Sequence, residues 1–126
     1  MNAKQLNPAA LAFVGDAVYG LLVRERLSSV SRPSGELHRL SVKLVSAAAQ
    51  VSAFKLIEPH LLEEELEIFR RGRNFHTHST PKSVTVQEYH IATGLEVLFG
   101  YLHMCGNHIR KNELFSIIWN EFEHKI

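Results

Sequence analysis

Apolar residues return every three or four positions along most of the chain, and the stretches between these runs are polar and hold proline, glycine or capping residues. Pro8 sits where a first-turn proline is tolerated, and the run from it to about Leu27 has the length and composition of a core helix. Leu11, Val14, Val18, Leu21 and Leu22 share one stripe of it, while Ala12, Tyr19 and Val23 share the stripe of Asp16. Ser28 to Pro33 is a polar connection, after which Ser34 can cap a second helix with Glu36 in its first turn. The stripe Leu37, Leu40, Leu44, Ala47, Val51, Phe54 predicts one continuous amphipathic helix, roughly five turns long. His38, Arg39, Lys43, Ser46 and Gln50 fall on its polar side. Glu58-Pro59 ends it, because the residue before a proline is pushed out of helical conformation.

Leu61 to Arg71 predicts a third helix, with glutamates at its start and arginines at its end as the macrodipole favours, and Gly72 available to terminate it. Thr85-Val86-Gln87-Glu88 matches a capping box and opens a fourth helix with Ile91, Leu95, Leu98 and Leu102 on its stripe and Gly106 at its end. Asn107 can cap a last helix, where Leu114, Ile117, Ile118, Trp119 and Phe122 form a broad apolar face able to close a core or a subunit contact. No alternating run suggests a strand. The expected fold class is all-α, one domain spanning residues 1–126 without internal repeats.

Composition narrows the function classes. The chain of 126 residues is 45% hydrophobic and 21% charged, as an ordinary globular protein is, and is too short for a catalytic domain with an appended binding domain. Its one cysteine, Cys105, excludes an intramolecular disulfide and any cysteine-pair zinc site, which fits a reducing compartment. No secretion-type start and no apolar stretch of membrane-spanning length is present, so a soluble, cytoplasmic protein with no membrane association is expected. The net charge of +1 hides an uneven distribution. Residues 58–67 hold Glu58, Glu63, Glu64, Glu65 and Glu67, whereas residues 70–82 hold Arg70, Arg71, Arg73 and Lys82 and no acid. The glutamate run reads most simply as a solvated face, since consecutive charges on a helix cannot all point at one site.

Asp16 is the only residue charged at neutral pH between Pro8 and Val23. An unpaired carboxylate in a buried helix needs a cation, a cluster of donors or a raised pKa. The bland alternatives are that it caps a neighbouring helix, pairs with an arginine, or lies on a helix less buried than its composition suggests. Glu96 lies off the stripe of the fourth helix, on a face with Ala92, Thr93, Gly100 and His103, whose small residues would let another helix or a ligand approach closely; by periodicity alone it equally faces solvent. Two carboxylates on separate helices suit Mg²⁺, which keeps several waters and completes its shell from substrate phosphate. Arg70 to Lys82, the most polar and least periodic part of the chain, is expected to be a loop. It is either a phosphate-binding surface or a helix terminus followed by an ordinary loop. His76 and His78 read as surface residues rather than half of a metal site. Phosphate-binding Gly-rich loops, Cys-x-x-Cys and His-Glu-x-x-His are all absent.

Leu11-Ala12-Phe13-Val14-Gly15-Asp16-Ala17-Val18 resembles the signature helix of ribonuclease III catalytic domains, and Leu95-Glu96-Val97-Leu98-Phe99-Gly100-Tyr101-Leu102 resembles their second acidic helix. Leu37-His38, Val45-Ser46-Ala47, Arg70-Arg71-Gly72-Arg73-Asn74 and Thr80-Pro81-Lys82 resemble the short bacterial branch of that family, Mini-ribonuclease III, which lacks a double-stranded-RNA-binding domain. The resemblance covers nearly the whole chain. It implies an all-helical homodimeric endoribonuclease that uses Mg²⁺ to cut double-stranded RNA and, for the short branch, matures the ends of the large-subunit (23S) ribosomal RNA precursor. It carries Asp16 and Glu96 over as catalytic metal ligands and Arg71, Arg73, Lys82 and, less closely, Arg70 as RNA-binding residues. The chain departs from full-length ribonuclease III at Ala9, Ala12 and Thr93, where that family has further acids, which implies a thinner set of metal ligands. The readings from other classes are a non-catalytic RNA- or protein-binding helical domain, with Asp16 as a structural hub, and an interaction protein using the Trp119 face.

Overall fold

In the computed structural model, residues 5–75 and 85–126 are described, and they form six α-helices with no strand among them. These are α1 (Pro8–Leu27), α2 (Ser34–Leu44), α3 (Ala47–Ile57), α4 (Glu63–Arg73), α5 (Val86–Met104) and α6 (His108–Phe122), with short 3₁₀ turns at Glu58–His60 and Glu123–Lys125. The all-α expectation holds. None of these helices is by itself long and apolar enough to cross a membrane.

Local chemistry accounts for most of the boundaries. The Asn7 side-chain oxygen accepts from the Ala10 N–H at 2.8 Å and Pro8 follows as the first helical residue of α1. The Thr85–Glu88 capping box opens α5, with the Glu88 N–H donating to Thr85 Oγ1 at 3.0 Å and the Thr85 N–H donating to Glu88 Oε1 at 3.2 Å. Gly106, at φ 77°, lets the chain leave α5, and Asn107 then caps α6. The single helix expected between the Ser34 cap and Glu58-Pro59 is two helices, with α2 and the segment from Ala47 to His60 meeting at 63°. Ser46 turns the chain out of helical conformation (ψ 158°) and caps α3 through an Ala49 N–H···Oγ bond of 3.2 Å, which rotates every later residue onto a new face. Ser34 does not cap α2; Pro33 occupies that position and no side chain caps the helix.

α5 is the central helix. From Ala92 to Leu102 every residue except Glu96 is buried, with α1, α3, α4 and α6 packed around it. Tyr19 of α1, Phe99 of α5 and Phe115 of α6 meet edge to face in the core, with ring centroids 5.4 to 6.4 Å apart. Leu114, Ile118, Trp119 and Phe122 of α6 are buried there too, so the Trp119 face closes the core and does not present a partner surface. Gly72 does not terminate α4. It lies inside the helix, where a Cβ would come within 2.7 Å of the Val97 side chain and 2.9 Å of Gly94 Cα. The glutamate run is also more than a solvated face. Glu65 is 4% exposed and takes a bidentate pair from Arg110 (2.8 and 2.9 Å), and Glu64 accepts from the Tyr101 hydroxyl at 2.8 Å.

Candidate active site

The crossing of α1 over α5 is built on glycines. A Cβ at Gly15 would stand 1.7 Å from the Glu96 carbonyl oxygen, and one at Gly100 would stand 2.0 Å from that of Leu11. Only residues without side chains permit this approach, so the small-residue face of α5 seats α1. Asp16 follows Gly15 directly, and the backbone that Gly15 touches belongs to Glu96. The helix contact therefore sets the two carboxylates side by side.

α1 is buried on one face only. Leu11, Gly15, Val18, Tyr19, Leu22 and Val23 point inward, while Phe13, Asp16, Ala17 and Leu21 lie on the open side. Asp16 is thus exposed rather than sunk in apolar surroundings, and its neighbour is a second acid instead of a capped helix or an arginine. Glu96 is half-buried, and its carboxyl is pushed up to about 8, first by burial and then by the charge of Asp16 and their mutual hydrogen bond, with an opposing contribution from the Gln50 amide. Among the described residues, no cationic side chain is one of the groups acting on it. Two crowded carboxylates that no cation among the described residues offsets fit a divalent oxygen-ligated cation, for which Asp16 and Glu96 are the residues able to serve. No third acid, histidine or cysteine joins them into a larger cluster among the described residues.

Asp16 opens onto a cleft of about 450 Å³ lined by Phe13, Val14, Ala17, Val18, Leu21 and His103. A larger cleft of about 660 Å³ lies elsewhere, between α3, the end of α4 and the start of α5, with Arg73, Lys55 and His90 in its wall. Of the basic residues, Arg70, Arg71 and Arg73 occupy the last turn of α4 rather than a loop. Gly72 between them packs on Gly94 and Val97, so this turn stands at the level of Glu96 along α5, on another face of that helix. Arg71 Nη2 reaches back to the Leu6 carbonyl at 3.4 Å, tying the turn to the start of α1. Arg73 lies over the Phe69 ring at 5.9 Å, and Arg70 faces Glu63 at 3.9 Å on the surface. Lys82, His76, His78 and the Thr80-Pro81-Lys82 motif lie outside the described residues.

Gln50 escaped the sequence reading, which placed it on a polar helix face. The break at Ser46 turns it inward, where it is 4% exposed beside Glu96. A serine ahead of three alanines is the signal that would have marked the new helix start.

A mostly helical frame with an acidic pair at a close helix crossing and arginines at the same level defines the class to which comparison then gives a name. The ribonuclease III domain model matches residues 9–107, and the chain belongs to the ribonuclease III family of endoribonucleases. Its relatives place it with the short branch. The Mini-ribonuclease 3 of Thermoanaerobacter sp. is 44% identical over 113 residues, covering 89% of this chain and 80% of that one. That of Streptococcus pneumoniae is 43% identical over 120 residues, covering 92% and 93%, and that of Clostridium tetani is 35% identical over 124, covering 97% and 82%. A crystal structure of a Fusobacterium nucleatum protein superposes with a TM-score of 0.81 at 29% identity, covering 97% of this chain and 96% of that one.

Proposed function

We propose that this chain is a Mg²⁺-dependent endonuclease specific for double-stranded RNA, that it matures the ends of the 23S ribosomal RNA precursor, and that it works in the cytoplasm as a homodimer. The observation that carries the reading is the Asp16–Glu96 pair, brought together by the Gly15 contact and open to solvent on the Asp16 side. The ribosomal substrate and the compartment rest on the resemblance to the short branch.

When bound, a divalent cation supplies an activated water for attack on a phosphodiester and neutralises charge on the leaving oxygen. Asp16 and Glu96 would hold it through their carboxylate oxygens. Before it binds, Glu96 holds a proton that it must release, which makes cation affinity rise with pH. Arg70, Arg71 and Arg73 on α4, with Lys82, contact backbone phosphates, the guanidinium forks donating bidentate hydrogen bonds to phosphate oxygens that read the shape of A-form RNA rather than its sequence. Dimerisation is supported by α1, where Phe13 is 83% and Leu21 56% exposed, with exposed Ala17 between them. Burying that stripe against a second copy would remove an apolar surface from water and set two sites near one duplex.

The deciding experiment is incubation with end-labelled double-stranded and single-stranded RNA, with Mg²⁺ and with chelator, beside the Asp16→Asn variant. Cleavage of the duplex alone, dependent on both Mg²⁺ and Asp16, is expected. A folded protein that binds duplex and leaves it intact under every condition would replace the nuclease with a binding module.

A further inference from the structure

The Asp16–Glu96 pair has a third neighbour that neither acid explains. Gln50 comes from α3, is almost wholly buried, and its Nε2 donates to the Val45 carbonyl at 3.0 Å. That carbonyl is turned toward Gln50 where the chain breaks between α2 and α3, so the Ser46 cap and the Gln50 side chain form one unit. The same amide acts on the Glu96 carboxyl. Its other atom, Oε1, is buried with no donor among the described residues.

A primary amide is a costly way to fill a core position, because each polar atom must find a partner or lose its hydration. Leucine or methionine would occupy the space between α3 and α5 without that demand. A buried amide with its nitrogen anchored to the backbone, its acceptor left over and an acid within its influence suits a site whose ion arrives with coordinated waters, which are donors. We infer that Gln50 is a positioning residue for the proposed cation site: it fixes the Glu96 carboxylate so that Glu96 and Asp16 present their oxygens to one ion. The inference rests on the nuclease reading above. With so few acids available, the orientation of each one decides how well the ion is held, and groups that orient metal ligands typically change affinity or activity by about 10–100-fold when removed.

The test uses Gln50→Met, which keeps side-chain length and packing but has no amide, and Gln50→Asn, which keeps the amide one methylene short of Glu96. Mg²⁺ binding is measured by calorimetry on the full chain without RNA, and the Mg²⁺ concentration for half-maximal duplex cleavage is measured beside it. Both variants are expected to need about tenfold more Mg²⁺ or greater in both assays. At saturating Mg²⁺ the kcat should recover, while the KM for duplex RNA stays within about twofold, a change too small to reflect lost binding contacts. Should Gln50→Met fail to fold, Gln50→Asn decides alone. Unchanged Mg²⁺ requirement in a folded variant of an enzyme that needs Mg²⁺ overturns the role of Gln50 and leaves the nuclease reading standing. Wild-type cleavage that persists in chelator overturns both.

Discussion

Replacing Gly15 by alanine adds one methyl group at the point where α1 and α5 touch, and the geometry gives its cost. The new Cβ would lie 1.7 Å from the Glu96 carbonyl oxygen and 2.5 Å from its carbon, both backbone atoms that no rotamer change can move. Ordinary contact needs about 3.4 Å or more, so α1 must lift by roughly 1.5–2 Å. Leu11, Val18, Tyr19, Leu22 and Val23 are the side chains α1 buries. A gap of 0.5–1 Å already forfeits about a quarter to a half of the dispersion well, and each buried side chain of this size stabilises by about 1.5–3 kcal/mol. The loss is then on the order of 2–7 kcal/mol, against a gain of about 1 kcal/mol from the better helix propensity of alanine. For a domain whose whole stability is about 5–15 kcal/mol, that is a large fraction. Thermal and urea denaturation followed by circular dichroism should show a lowered Tm and midpoint for Gly15→Ala. Gly35→Ala, in the first turn of α2 with nothing within 4 Å, should be neutral or slightly stabilising. Gly100→Ala pries the same helix pair apart at Leu11, so the double variant should lose less than the two single losses added together. A Gly15→Ala protein as stable as the wild type would refute the close crossing and, with it, the explanation of how Asp16 and Glu96 meet.

Asp16→Asn should leave the Tm within a few degrees, because Asp16 is exposed, and should abolish Mg²⁺-dependent cleavage in the labelled-duplex assay. Arg71→Ala and Arg73→Ala should each weaken duplex RNA binding to a similar degree for every sequence and reduce the slope of log affinity against log salt by about 1, measured by fluorescence anisotropy across salt concentrations. Arg110→Met should cost about 3–5 kcal/mol at neutral pH in urea denaturation, since it strands the buried Glu65 carboxylate. In the wild type, Arg110 and the Leu62 N–H outweigh burial and hold the Glu65 carboxyl below its ordinary 4.5. Its folded value is lower than its unfolded one, so the stabilisation is present above the ordinary value and is lost as pH falls through the folded one. Acid titration of Arg110→Met should lack that part of the wild-type decline.

The helices were legible because period, caps and breakers agree along most of the chain: Pro8, the Thr85–Glu88 box, Gly106 and Asn107 each end or begin an element where local chemistry demands it. The break at Val45–Ser46 was not, because Leu37 to Phe54 keeps a consistent apolar period across it, and a single serine cap outweighed a pattern spread over many residues. That one boundary decides where Gln50 points, so an error of local structure became an omission from the site. Gly72 misled for a related reason. A glycine after a cationic helix end resembles a stop, yet it serves as the seat of α4 on α5, a requirement set by a residue about 25 positions away and invisible to any local window. The acidic pair was legible as residue types but not as geometry. Composition suggested that Asp16 was buried, whereas α1 turns that side outward and buries the other. What makes Asp16 a candidate for catalysis is its proximity to Glu96, and the residues that create this proximity are the side-chain-free positions Gly15 and Gly100 rather than the acids themselves.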